Sequence, residues 1–212
     1  MARTARTRSM PVGVKVGLIV AALILPVSWG LATYHRIALQ NRLSPIASEI
    51  AGRQVGVHCP GWLGRLMAPA DTTAGVVSVD ADGRVDDRTQ LRTRTCDELA
   101  AVIGGEREQA LACAARSTSC GDDVQQMAWA LNTLAHEAIH LRGILDEGVT
   151  ECYAVQNFAL VAQRLGIGPE QARNLAITHW ETSREKLPDR YLAAGCENGG
   201  PLDLRPADPV WP

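Results

Sequence analysis

The sequence predicts a mainly α, α+β protein: an amino-terminal transmembrane helix followed by a small helical domain with one β-hairpin. Three observations carry this prediction. An uncharged apolar run from Val16 to Tyr34 follows a basic start, apolar residues between Asp122 and Arg142 recur at the helical period, and β-branched residues flank an Asp-Gly turn once, between Val76 and Leu91.

Arg3, Arg6, Arg8 and Lys15 make residues 1–15 a basic leader, and no acidic residue precedes Glu49. The run over 16–34 approaches the ~20 residues that span a bilayer as a helix, and the positive-inside rule places the leader in the cytoplasm and the rest outside. The expected location is therefore the cell membrane, single-pass, with an extracytoplasmic carboxyl-terminal domain. A cleaved signal peptide is the alternative, and it would make the protein secreted. All six cysteines follow this segment, in an even number with no Cys-x-x-Cys pair, so disulfides in an oxidising compartment are expected rather than a zinc ribbon. Cys113 with Cys120 would close a local loop, and Cys152 with Cys196 would pin the tail to a helix. Beyond the leader, 17 Lys and Arg stand against 23 Asp and Glu, the wrong sign for a nucleic-acid surface. Lys occurs only at 15 and 186, a codon-bias trait of high-GC bacteria.

Residues 35–70 read as a stalk, with helical spacing from Ile37 to Gln54 broken at Pro45 and a turn at Cys59-Pro60-Gly61. A compact domain is expected over 71–212. In it, Val76, Val77, Val79 and Val85 flank Asp80-Ala81-Asp82-Gly83 as a hairpin. Thr95-Cys96-Asp97-Glu98 has the form of a capping box and predicts a helix that stops near Gly104-Gly105. A short helix over Glu106 to Arg116 should follow. Val124, Met127, Ala128, Leu131, Leu134, Ala135, Ala138 and Leu141 then trace one face of a helix that begins at Asp122 and ends before Gly143. A second long helix runs from Asp146 or Glu147 to Leu165, and a third from Pro169 to about Lys186. The tail after Tyr191 is rich in Gly and Pro and is expected to be irregular.

His136 and His140, four apart on the first long helix, project from one face with the bite that a tetrahedral metal ion requires. Glu137 between them is placed to accept a proton from water. Glu147 and Glu151, also four apart, can bring a third ligand from the next helix.

Here the chain resembles the gluzincin type of zincin metallopeptidase. His136-Glu137-Ala138-Ile139-His140 matches the HExxH of that family, and Asp146-Glu147-Gly148-Val149-Thr150-Glu151 is similar to its second-helix pattern. The resemblance implies one Zn²⁺ per chain held by His136, His140 and Glu147, Glu137 as general base, and Glu151 as the acid that orients a histidine. Glu151 and Asp146 are the alternative third ligands, Asp146 because His140 to Asp146 is similar to the metzincin pattern, although no Met-turn is evident. It also implies a zincin-like fold in which the edge strand of the hairpin aligns an extended peptide. Peptide hydrolysis outside the membrane is the expected activity, with substrate unspecified. A catalytically inactive zincin-like binding or assembly module is the alternative, and a disulfide-stapled ectodomain without metal is a third. Among His179, Trp180, Tyr153, Arg142 and Tyr191 the polar groups are candidates to stabilise an oxyanion.

Overall fold

The computed structural model describes residues 12–61, 74–114 and 120–212, so most of the basic leader and part of the expected stalk lie outside the described residues. The chain divides into two compact units, 1–38 and 39–212. The described part of the first is helical, within helix α1 (Val12–Ala51), and exposes Trp29, Leu31, Tyr34 and Ile37.

The expected transmembrane helix over 16–34 is corrected. Among the described residues, no helix is long and apolar enough to cross a membrane. Nor does the helix stop where the apolar run ends. It continues through His35, Arg36, Gln40, Asn41 and Arg42.

The second unit begins inside α1. Pro45 does not break this helix. Leu43, Ile46, Ala47 and Ile50 are buried in the main hydrophobic core, and burial of about 1.5–3 kcal/mol per large apolar side chain outweighs a local helix-breaking tendency. The residues read as stalk therefore supply core.

A strand unforeseen in the sequence follows, β1 (Gly56–His58). It pairs in parallel with β3 (Val85–Leu91), which pairs antiparallel with β2 (Gly75–Val79), giving the order β1-β3-β2. The β2–β3 pair is the expected hairpin, with Gly83 at φ 79° in its turn. Thr89 and Leu91, two apart on β3, are fully buried on one face.

Helix α2 (Thr93–Ile103) starts two residues before the expected capping box, with Arg92 at the N-cap position. Both box residues are engaged in tertiary contacts instead: Thr95 Oγ1 donates to the Ala74 carbonyl at 3.0 Å, and Glu98 accepts from Arg107 at 2.9 and 3.0 Å. Helix α3 (Glu108–Ala114) is short. Helix α4 (Asp122–Leu141) matches the predicted span and is the centre of the unit, packing against α2, β2, β3, α5 (Glu147–Arg164) and α6 (Pro169–Ser183). Its alanines at 128, 130, 135 and 138 are buried, and their small side chains let neighbouring elements approach closely. Two 3₁₀ turns, Arg184–Lys186 and Asp189–Tyr191, end α6 earlier than expected and lead into the irregular tail.

All six cysteines are paired: Cys59–Cys96, Cys113–Cys120 and Cys152–Cys196. The last two are the pairings suggested by position in the sequence, and three disulfides point to an oxidising environment.

If the segment around Pro45 is core rather than stalk, Leu43→Ala should cost about 2–5 kcal/mol, measured by chemical denaturation. A stalk position would lose no more than about 0.5 kcal/mol.

Candidate metal centre

The site is built where α4 ends and α5 begins. Gly143 takes φ 99°, a left-handed conformation that costs glycine little, and the chain turns back so that the first turn of α5 meets the last turns of α4. Asp146 is the N-cap of α5: its Oδ1 accepts from the Val149 N–H at 2.9 Å, and its residue is exposed. That occupation takes it out of the cluster. Glu147, the next residue, points the other way. Its Oε2 lies 3.1 Å from His136 Nε2 and 3.5 Å from His140 Nε2.

His136, His140 and Glu147 each offer one ligand atom within 4.8 Å of the others, a group able to hold a metal ion. The two separations from Glu147 also fit such an ion. A tetrahedron with bonds of about 2.05 Å has edges of about 3.3 Å, between the two distances to Glu147.

The far side of each imidazole is fixed by an acceptor. His140 Nδ1 is 2.7 Å from the Ile144 carbonyl, which can only accept, so Nδ1 is the donor and carries the proton. His136 Nδ1 is 2.9 Å from Glu151 Oε2 and donates to that carboxylate in the same way. Each Nε2 is thereby directed at the shared point, the arrangement seen when an acceptor sets the tautomer of a metal-ligating histidine. Glu151 is 3% exposed and its other oxygen accepts from Asn132 Nδ2 at 2.8 Å.

Glu137 is 5% exposed and turns towards the sheet. Thr89 Oγ1 lies 3.3 Å from its Oε2 and 3.0 Å from the Val76 carbonyl, so one hydroxyl proton serves two acceptors. A Cβ built on Gly75 would come within 2.7 Å of Glu137 Oε1, Cδ and Cγ. Glycine at this point of β2 is what leaves room for the carboxylate.

The electrostatics follow from burial and partners. Burial pushes Glu137 up to about 7, against the lowering effect of His136 and the Thr89 hydrogen bond. Burial also acts to lower His136, but its hydrogen bonds to Glu147 and Glu151 outweigh that and raise it to about 9. Glu147 is lowered, chiefly by its hydrogen bond with His136. His140 is lowered by burial.

The three residues and Glu137 line a cleft of about 1140 Å³, with β2 along one wall and Trp129, Leu145 and Tyr191 among its other residues. Of the suggested oxyanion groups, Tyr191 is in the cleft, its ring centroid 5.9 Å from that of His136. Arg142 and Tyr153 do not line it. His179 is buried between Trp129 and Phe158 at ring distances of 5.0 and 5.4 Å, and burial pushes it down to about 4. Trp180 is likewise buried. Sequence reasoning did not identify Thr89, Gly75 or Asn132. Asn132 alone had a readable signal, standing four residues before His136 and hence on the same helix face.

No protein-family model, curated protein or solved structure matches this chain.

Two outcomes follow for the metal-free protein and for the ligand set. His136 is raised from 6.5 to about 9, so the stability it contributes is complete below pH 6.5 and is lost as pH climbs through 9. Glu137, raised to about 7, acts in the same direction at lower pH. Thermal unfolding of chelator-treated protein should therefore show a falling midpoint from pH 7 to 9, and His136→Asn should flatten that fall. A level wild-type profile would mean that His136 is not held charged by its two carboxylates. Elemental analysis of variants tests the ligands: Glu147→Ala should lower metal affinity by tenfold or more, whereas Asp146→Ala should keep the metal and lose roughly 1 kcal/mol of stability as a lost helix cap.

Proposed function

We propose that this protein is a zinc-dependent peptidase working in an oxidising, extracytoplasmic environment. His136, His140 and Glu147 bind one zinc ion and Glu137 acts as general base. The observation that carries the reading is the convergence of three ligand atoms, with both imidazoles oriented from behind, in the same cleft as a buried carboxylate that takes no part in the cluster. Zinc rather than another divalent ion is inferred from the two nitrogens and one oxygen of the donor set. The HExxH resemblance supports the same choice.

When bound, zinc supplies Lewis acidity that polarises a carbonyl. The chain's own residues do the rest. Glu137 accepts a proton on a carboxylate oxygen from the attacking water and returns it to the departing amine. A carboxylate held in the cleft can serve both halves of that transfer. Thr89 and the space over Gly75 keep the carboxylate directed into the cleft. Tyr191, which lines the same cleft, offers a hydroxyl to a developing oxyanion. An extended peptide lying along β2, an edge strand, would receive main-chain hydrogen bonds from it.

Glu137→Gln should retain about one zinc per chain while hydrolysis of a mixed peptide library falls by about 10²–10⁴-fold, read by mass spectrometry of the products. Zinc retained in the wild type with no turnover of any peptide would sink the peptidase reading and favour a zincin-like binding or assembly module.

A further inference from the structure

We infer that Asn132 is a positioning residue for the metal centre, acting on His136 through Glu151. The inference rests on the reading of His136, His140 and Glu147 as a metal site.

Asn132 is 2% exposed on the central helix α4. Its helical neighbours Ala128, Leu131 and Ala135 are buried and apolar, so packing alone would favour an apolar side chain here. Instead an amide is buried, and it reaches across to α5. Asn132 Nδ2 donates to Glu151 Oε1 at 2.8 Å, and Glu151 Oε2 accepts from His136 Nδ1 at 2.9 Å. His136 Nε2 then faces Glu147 Oε2 at 3.1 Å. The three side chains form an unbroken line that ends on a ligand atom.

The direction of each bond is determined. A carboxylate only accepts, so the amide must present its nitrogen to Glu151 and turn its oxygen away. That oxygen, Asn132 Oδ1, is buried without a protein partner. What the amide provides here is the donor facing Glu151.

The consequence for the site is geometric. Held by one hydrogen bond, through Oε2 alone, the Glu151 carboxylate can rotate about its terminal bond and carry the His136 ring with it. The second bond, at Oε1, fixes the carboxylate plane and therefore the ring plane. Asn132 lines the same cleft, and its hydrogen bond goes to Glu151 rather than to a ligand atom. It sets the accuracy with which His136 presents Nε2.

The test is a double-mutant cycle on the full chain, reading the zinc dissociation constant by chelator competition. Asn132→Ala should weaken zinc binding by about tenfold, the lower end of the range for outer partners of a metal ligand. In a Glu151→Ala background the same substitution should change it by less than about twofold, because the residue through which Asn132 acts is gone. Asn132→Leu fills the space without offering a donor and should reproduce the result, covering the case in which the alanine variant folds poorly. Thermal unfolding of the chelated forms serves as the control: a merely structural role would lower those midpoints and leave zinc affinity untouched in both backgrounds. An unchanged zinc constant in Asn132→Leu, or an equal loss in both backgrounds, overturns the inference while the metal centre stands. A wild type that takes up no zinc after reconstitution overturns the metal centre and this inference together.

Discussion

Burying charge is the constraint under which α4 and α5 are packed, because an ionisable group taken out of water costs several kcal/mol unless another polar group meets it. Glu151 and Glu137 are both less than 6% exposed, but Glu151 lies between α4 and α5 whereas Glu137 faces the sheet. Glu151 receives a donor on each oxygen, from Asn132 and from His136. Glu137 has a share of one threonine hydroxyl, and burial pushes it up to about 7. Environments this unequal suit two carboxylates to different work: in the proposed function one holds a ring in place and the other moves a proton.

The rest of the second unit keeps that interface in register. One face of α5 carries Gly148, Cys152 and Gln156 at successive turns, and each fastens the tail. A Cβ on Gly148 would meet the backbone of Leu192 and Ala193 at 3.1 Å, Cys152 is bonded to Cys196, and the Gln156 side chain donates to the Leu202 carbonyl and accepts from the Leu204 N–H at 2.9 and 2.7 Å. The adjacent stripe of the same helix carries Glu147 and Glu151. One helix thus carries two acids of the candidate site on one stripe and, on the adjacent one, fixes the segment that brings Tyr191 to the cleft. The sheet closes the remaining wall, with Gly75 and Thr89 supplied by neighbouring strands.

The parts of this arrangement that were legible in the sequence are those written in local periodicity. The 3.6-residue pattern from Val124 to Leu141 located α4, and i, i+4 spacing put His136 with His140 and Glu147 with Glu151. What escaped was decided by tertiary contacts. Pro45 argues locally for a break, yet Leu43 and Ile46 are buried on either side of it. Thr95 and Glu98 have the spacing of a capping box, but the Ala74 carbonyl and Arg107 compete for them. Strand β1 has three residues, too few to show a period of two. Thr89 lies 48 residues from the carboxylate it faces, a separation over which spacing carries no information. The apolar run before residue 35 was read as a bilayer span from composition, whereas the helix through it extends well past the point where such a span would end.

The choice between Asp146 and Glu147 shows where the limit of sequence reasoning falls. Both are acids at the start of one helix, and successive helical residues differ in direction by about 100°. A shift of the helix start by one residue would exchange their roles. What fixes the start is the backbone of Asp146, extended at φ −71° and ψ 119°, with its side chain bent back onto the Val149 N–H. Aspartate suits this position because its short side chain reaches the open N–H groups of the first turn, whereas glutamate, one methylene longer, reaches outward to the histidines instead. Capping chemistry thereby selects the candidate ligand: the acid that satisfies the helix is withdrawn from the cluster, and the next one is delivered to it.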